Sequence, residues 1–266
     1  MIVFPPCKIN LGLFVTGKRP DGFHSLESLF LPLPLTDVLE VVTDDGDTCV
    51  FSSSGLPISG DAEHNIVVKA WRRLRELHGI GGVKVHLHKL IPMGAGLGGG
   101  SSDGAFMLRV LNTLFELNLS ETELENHAAA LGSDCPFFIR NRPQFVTGRG
   151  EVMSDAPPQI FTGWLALITP EVHVSTPLAY SLIRPKPAPV DLRMITTIPL
   201  ERWQDVITND FEAPVIAAFP MINQARTALK EAGANYVAMS GSGSTVFGLF
   251  ESKPAIQGAF VCEVNW

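Results

Sequence analysis

Five of the eleven residues in Pro92-Met93-Gly94-Ala95-Gly96-Leu97-Gly98-Gly99-Gly100-Ser101-Ser102 are glycine. Glycine lets a backbone approach an anion closely and turn its N–H groups inward. A helix opening directly after the glycines adds free N–H groups and the positive end of its dipole. Ser101 and Ser102 suit a helix cap, a phosphate or its magnesium. The segment reads as a cradle for a polyphosphate. Gly94-x-Gly96-x-x-Gly99 also satisfies the dinucleotide fingerprint, but that motif requires a parallel strand after the helix, and a second helix follows here. A Walker A loop requires Gly-Lys-Ser/Thr, and no lysine follows these glycines.

Three other clusters carry polar groups in chemically suggestive places. Lys8 and Asn10 alternate with Ile9 and Leu11, so on a strand both share one face; together they suit a phosphate and a hydroxyl, and alone they read as surface residues. Asp134 stands in the otherwise apolar Leu131–Phe138 stretch just after a helix, as a cap, a turn residue or a reactive carboxylate. Ser240-Gly241-Ser242-Gly243-Ser244-Thr245 lies between two strands, either closing over a ligand or turning tightly. His86 and His88 have no third metal ligand placed near them, and the solvent face of a strand accounts for both.

The elements that must position these groups follow from periodicity. Val38–Val42 and Thr48–Phe51 read as a hairpin around Asp44-Asp45-Gly46-Asp47. Val67, Ala70, Trp71, Leu74 and Leu77 form a helical stripe over Asn65–His78 that stops at Gly79. Val83, Val85 and Leu87 alternate with Lys84, His86 and His88 as in a half-buried antiparallel strand. Helices are predicted over about 102–115, over about 121–131 with Gly132 as the stop, and over 221–231. Strands are predicted at Trp164–Thr169 and, as a pair, within Tyr236–Phe250; Pro185–Pro189 reads as a surface connection. Without a βαβ rhythm the class is α+β, with a division at 155/156 into 1–155 and 156–266.

Composition narrows the partners. Among 266 residues, 45% are hydrophobic and 18% charged, enough apolar surface to build a core, which excludes a disordered tail. A net charge of −7 without clustered basic residues argues against nucleic acid. No apolar run reaches the roughly 20 residues that span a bilayer, and the start lacks a signal-peptide pattern. Four cysteines without metal-ligand spacing read as reduced thiols, so a cytoplasmic protein without membrane partners is expected.

Taken in order, Pro6–Gly12, Pro92–Ser102 and Met239–Val246 resemble the three signatures of the GHMP kinases, the superfamily of galactokinase, homoserine kinase, mevalonate kinase and phosphomevalonate kinase. Lys8-Ile9-Asn10-Leu11 with Asp21-Gly22-Phe23-His24 is similar to the branch of that family acting on a cytidine-diphosphate-linked methylerythritol in the non-mevalonate isoprenoid pathway. The resemblance implies two lobes, an N-terminal one like ribosomal protein S5 that holds the glycine segment and a C-terminal ferredoxin-like one. It implies transfer of the γ-phosphoryl group of ATP, with Mg2+, to the 2-hydroxyl of the methylerythritol unit. Lys8 and Asp134 match the family's catalytic pair: Asp134 would accept or orient the hydroxyl proton, and Lys8 would hold that carboxylate ionised and offset charge in flight. Pro92 to Ser102 match the ATP phosphate loop and Asn65 the position near adenine. Asn10 falls near the reacting hydroxyl, His24 at the cytosine edge, Phe23 and Tyr180 on its two faces, and Thr176 in the same cleft. No magnesium ligand is assigned, and the expected state is a monomer or homodimer. Phe23 stands where the family usually has Tyr, Tyr180 where it has Phe, Asp103 where Asn is common and Cys7 where Ala is usual; none removes a catalytic group. A homoserine- or mevalonate-type kinase is the alternative, and Asp21–His24 argues against it because those substrates carry no base to stack.

Overall fold

The computed structural model describes residues 1–266. The chain begins with five strands, β1 (Ile2–Val3), β2 (Pro6–Lys18), β3 (His24–Thr36), β4 (Val38–Asp44) and β5 (Cys49–Gly55). Then come α1 (Ile66–His78), β6 (Gly82–Lys89), α2 (Gly99–Leu114), α3 (Glu121–Ala129) and α4 (Cys135–Arg140). Next are β7 (Gln144–Thr147), β8 (Val152–Asp155), β9 (Thr162–Ile168), α5 (Thr176–Ser181), α6 (Leu200–Val206) and α7 (Glu212–Ala218). The chain closes with α8 (Pro220–Glu231), β10 (Tyr236–Met239), β11 (Val246–Phe250) and β12 (Phe260–Asn265). No helix is long and apolar enough to cross a membrane, and all four cysteines are free thiols.

Two compact units result. One comprises Met1–Cys7, Pro32–Met93 and Gly98–Arg142; the other comprises Lys8–Leu31, Gly94–Leu97 and Pro143–Trp266. A single cut at 155/156 follows the chain, whereas these units are discontinuous, because β2 and β3 each run from one unit into the other.

In the first unit the sheet order is β1-β4-β6-β5. The predicted hairpin is not formed, since β6 enters between β4 and β5, antiparallel to the former and parallel to the latter. Parallel neighbours need a crossover, and α1 supplies it, so β5-α1-β6 is a βαβ unit that periodicity did not reveal. Asp44–Asp47 still joins β4 to β5 but crosses the start of β6, where Gly82 N–H donates to Gly46 O at 3.0 Å. Alternation along β6 buries Val83, Val85 and Leu87. His86 and His88 lie on the opposite face, hydrogen-bonded to Ser52 and Ser54 of β5. Val67, Ala70, Trp71 and Leu74 of the predicted α1 stripe are buried, whereas Leu77 in the last turn is exposed; Asn65 Oδ1 accepts from Val67 N–H at 2.9 Å, and Gly79 closes the helix in the left-handed conformation. Helix α2 begins earlier than expected, at Gly99, because Gly98 is left-handed (φ +70°) and turns the chain directly into it. Helix α3 ends at Ala129 with a right-handed Ala130 cap, and the Gly132 carbonyl instead accepts from Cys135 N–H at the start of α4, a helix not predicted.

The second unit contains the antiparallel sheet β10-β11-β9-β12, and the sheet β2-β3-β7-β8 lies largely within it. Met239 pairs with Val246, so Ser240–Thr245 is the connection between β10 and β11. Val215 of α7 with Ile222 and Leu229 of α8 pack onto Ala166, Val237 and Val246 of the sheet. Each large aliphatic chain so buried contributes about 1.5–3 kcal/mol. Pro185–Pro189 is irregular and mostly exposed, as expected.

Candidate active site

In the second unit, the alternation of β2 places Lys8 and Asn10 on one face, and both are almost wholly buried, which excludes the surface alternative. Lys8 Nζ donates to Asn10 Oδ1 at 2.6 Å and lies 4.2 Å from the Phe30 ring centroid. Asn10 Nδ2 donates to Ser28 Oγ at 2.9 Å, and that hydroxyl donates to Gly12 O. The four middle residues of the glycine segment bind to the same unit. Leu97 O accepts from Lys8 N–H, Gly96 O from Ser240 Oγ, and Ala95 O from Thr245 N–H. The Ser240–Thr245 connection is thus a tight turn packed on the glycine segment. A Cβ at Gly96 (φ +78°) would collide with the Ser240 carbonyl, and one at Gly94 with the His173 ring. These two glycines are required by protein packing, although the sequence pattern assigns them to the ligand.

At the start of β3 and in α5 the predicted aromatic groups appear. His24 stacks on Tyr180 with centroids 4.8 Å apart and planes at 21°, and Tyr180 meets Phe211 edge-on at 4.9 Å. Phe23 is 54% exposed, with the Arg149 guanidinium 4.7 Å from its centroid. Partial desolvation would raise the Asp21 pKa, but the Phe23 N–H and the Arg19 and Arg149 charges prevail and lower it. Thr176 Oγ1 lies 3.4 Å from Ser242 Oγ.

In the first unit, a cavity of ≈ 550 Å³ is bordered by Asn65, Met93, Gly100 and Ser101, with Lys89 and Asp103 in its wall. Asn65 and Gly100 in the first turn of α2, 35 residues apart, therefore face one space. A Cβ at Gly99 would meet Ile91 Cγ2 at 2.7 Å, whereas one at Gly100 meets nothing within 4 Å. Asp134 occupies the N-cap position of α4 but makes no side-chain capping bond. Burial pushes the neighbouring Cys135 thiol up to about 12, leaving Cys135 an inert thiol.

A buried trio in this unit joins Asp103, noted in the sequence only as a departure from the family's Asn, to Asp37 and Lys89, which the sequence did not single out. Lys89 Nζ donates to Asp37 Oδ2 and, at 2.7 Å, to Asp103 Oδ2, and all three side chains are at most 2% exposed. The signal was present: Lys89 continues the inward alternation of Val83, Val85 and Leu87. Desolvation raises the Asp103 carboxyl to about 8 against the lowering pull of Lys89.

Comparison with known proteins bears on this arrangement. The family model described as GHMP kinases N terminal domain matches residues 65–142, and GHMP kinases C terminal matches 198–262. A 4-diphosphocytidyl-2-C-methyl-D-erythritol kinase of Parabacteroides distasonis is 47% identical, covering 96% of this chain and 93% of its own. The chain belongs to the GHMP kinases. A relative of the same name from Bacteroides thetaiotaomicron is 47% identical over 100% of this GHMP kinase and 96% of its own length. A crystal structure titled 4-(cytidine 5'-diphospho)-2C-methyl-D-erythritol kinase superposes with a TM-score of 0.79 at 34% identity, covering 95% of this chain and 91% of that one. The two-lobed α+β fold of the family is therefore that of this GHMP kinase.

Proposed function

We propose that this GHMP kinase transfers the γ-phosphoryl group of ATP to the 2-hydroxyl of 4-diphosphocytidyl-2-C-methyl-D-erythritol, in non-mevalonate isoprenoid precursor biosynthesis. The observation that carries the reading is the full-length likeness to relatives of that name. The two family matches fall on either side of 155/156, which supports 1–155 and 156–266 as functional lobes.

Phosphoryl transfer needs positioning and charge stabilisation more than covalent chemistry. The bond from the γ-phosphorus to the bridging oxygen of ADP breaks as one to the 2-hydroxyl oxygen forms. In this reading the hydroxyl proton passes to Asp134, Lys8 offsets charge on the moving phosphoryl group, and Asn10 holds the acceptor. The amino end of α2, with Gly98 to Ser102, takes the phosphates, and Asn65 stands towards adenine. Phe23, His24, Tyr180 and Thr176 take the cytidine. No group of three His, Cys, Asp or Glu side chains is placed to hold a metal. Ser102 Oγ, buried and without a partner, is an oxygen that fits Mg2+ carried in on ATP. When bound, Mg2+ offsets charge on the β- and γ-phosphates.

Gly100 offers a clean probe of the nucleotide site, because a Cβ there meets no protein atom within 4 Å. Gly100→Leu should leave the thermal midpoint unchanged or raise it, a helical leucine being about 0.5–1 kcal/mol better than glycine. Calorimetric affinity for ATP should fall by about tenfold or more, about 1.4 kcal/mol. Unchanged affinity would remove α2 from the phosphate site.

The substrate is tested by ADP release with and without the cytidine-bearing alcohol, in wild type and at Tyr180. Base–aromatic stacking contributes about 1–3 kcal/mol, so Tyr180→Ala should raise KM for that alcohol by roughly five- to 150-fold. KM for ATP should stay near wild type, and Tyr180→Phe should be nearly silent, since stacking needs the ring and not the hydroxyl. Equal turnover of a sugar alcohol lacking cytidine would point to another small-molecule GHMP kinase.

A further inference from the structure

The mechanism leaves the Asp37–Lys89–Asp103 cluster without a task. Asp37 lies between β3 and β4, is fully buried, and does not border the 550 Å³ cavity. Its Oδ1 accepts from two successive amides, Leu90 N–H at 2.6 Å and Ile91 N–H at 2.8 Å, while Oδ2 accepts from Lys89. Those amides follow directly on the end of β6 and stand just ahead of Pro92. Lys89 carries the connection onward to Asp103 in the second turn of α2, and its Nζ lies 3.2 Å from where a Cβ on Gly99, the first residue of α2, would stand. One carboxylate therefore ties the exit of β6 to the amino end of α2. Stability alone is a poor account of this, because buried ion pairs gain little over apolar side chains of similar volume. The cluster also leaves Asp103 Oδ1 buried without a partner, a cost that apolar packing would avoid.

We propose that Asp37 is a positioning residue for the nucleotide phosphates, setting the place of the first-turn amides of α2 through Leu90, Ile91 and the Lys89–Asp103 bridge without touching the nucleotide. The inference rests on the kinase reading above.

Two variants test it by calorimetry with the β,γ-imido analogue of ATP. Asp37→Asn keeps the shape but turns an amide donor towards the Lys89 ammonium. Asp37→Glu keeps the charge, so the cluster stays neutralised, while the added methylene displaces the carboxylate from Leu90 and Ile91. Both are expected to weaken analogue binding at least tenfold with an unchanged far-ultraviolet dichroism spectrum. KM for the cytidine-bearing alcohol, measured at saturating ATP, is expected to stay within twofold. A lowered thermal midpoint with wild-type analogue affinity in either folded variant would make Asp37 merely structural and overturn the proposal. Failure of the wild-type protein to bind the analogue would instead overturn the kinase reading, and this inference with it.

Discussion

Asp134→Asn is expected to reduce turnover by on the order of 10²-fold or more, the usual consequence of removing a general base, while affinity for ATP stays at the wild-type level. The substitution is unusually easy to interpret. Asp134 sits at the N-cap position of α4 without a side-chain capping bond, and asparagine is as good a residue there as aspartate. Neither lost helix stability nor a changed backbone should confuse the result. A substitute base is also lacking next door, since the Cys135 thiol is pushed up to about 12 by its burial. Single-turnover phosphoryl transfer, measured alongside calorimetric ATP binding, separates chemistry from affinity. A variant keeping about a third of the wild-type rate would remove Asp134 from the role of base, because so small a loss falls far below the effect of general-base removal.

Lys8→Met is expected to lower kcat by about 10²–10³-fold, the scale for loss of one group that stabilises developing charge, with KM for ATP little changed. Lys8 is 3% exposed, and methionine fills much of the same stem volume. Its ammonium is held on Asn10 Oδ1 and over Phe30, both in the same unit, so it is already oriented when substrate arrives. Preorganised charge of that kind acts on the transition state and not on nucleotide binding in the ground state. The substitution also takes the donor from buried Asn10 Oδ1, so the far-ultraviolet dichroism spectrum and thermal midpoint of the variant are measured alongside its kinetics. A steady-state effect confined to KM for ATP would place Lys8 at the nucleotide and not at the moving phosphoryl group.

Much of the candidate site is legible in the amino-acid sequence, because its signals are local. The strand alternation of Lys8-Ile9-Asn10-Leu11 depends only on the two-residue period, and it places both polar side chains together. Asn65 and Gly79 mark the ends of α1 by capping chemistry that acts within one turn. Glycines ahead of a helix announce an anion site for the same reason: the free amides belong to the helix itself.

Other features depend on partners far along the chain. Nothing between Val38 and Phe51 announces that β6 will separate β4 from β5, because a strand's edges carry the same backbone groups whichever neighbour they meet. Gly94 and Gly96 look like the other glycines of the segment until His173 and Ser240 are placed against them. The stack of His24 on Tyr180 joins residues 156 positions apart, beyond the reach of any period. Asp37 is the clearest case. By sequence it is one acid beside a strand, and only the tertiary structure brings Leu90, Ile91 and Lys89 to its carboxylate. Which side chains share a strand face or end a helix can be read from the residues alone, since backbone geometry fixes that over a few positions. Which distant groups meet cannot, since that depends on strand order and on packing among all the elements at once.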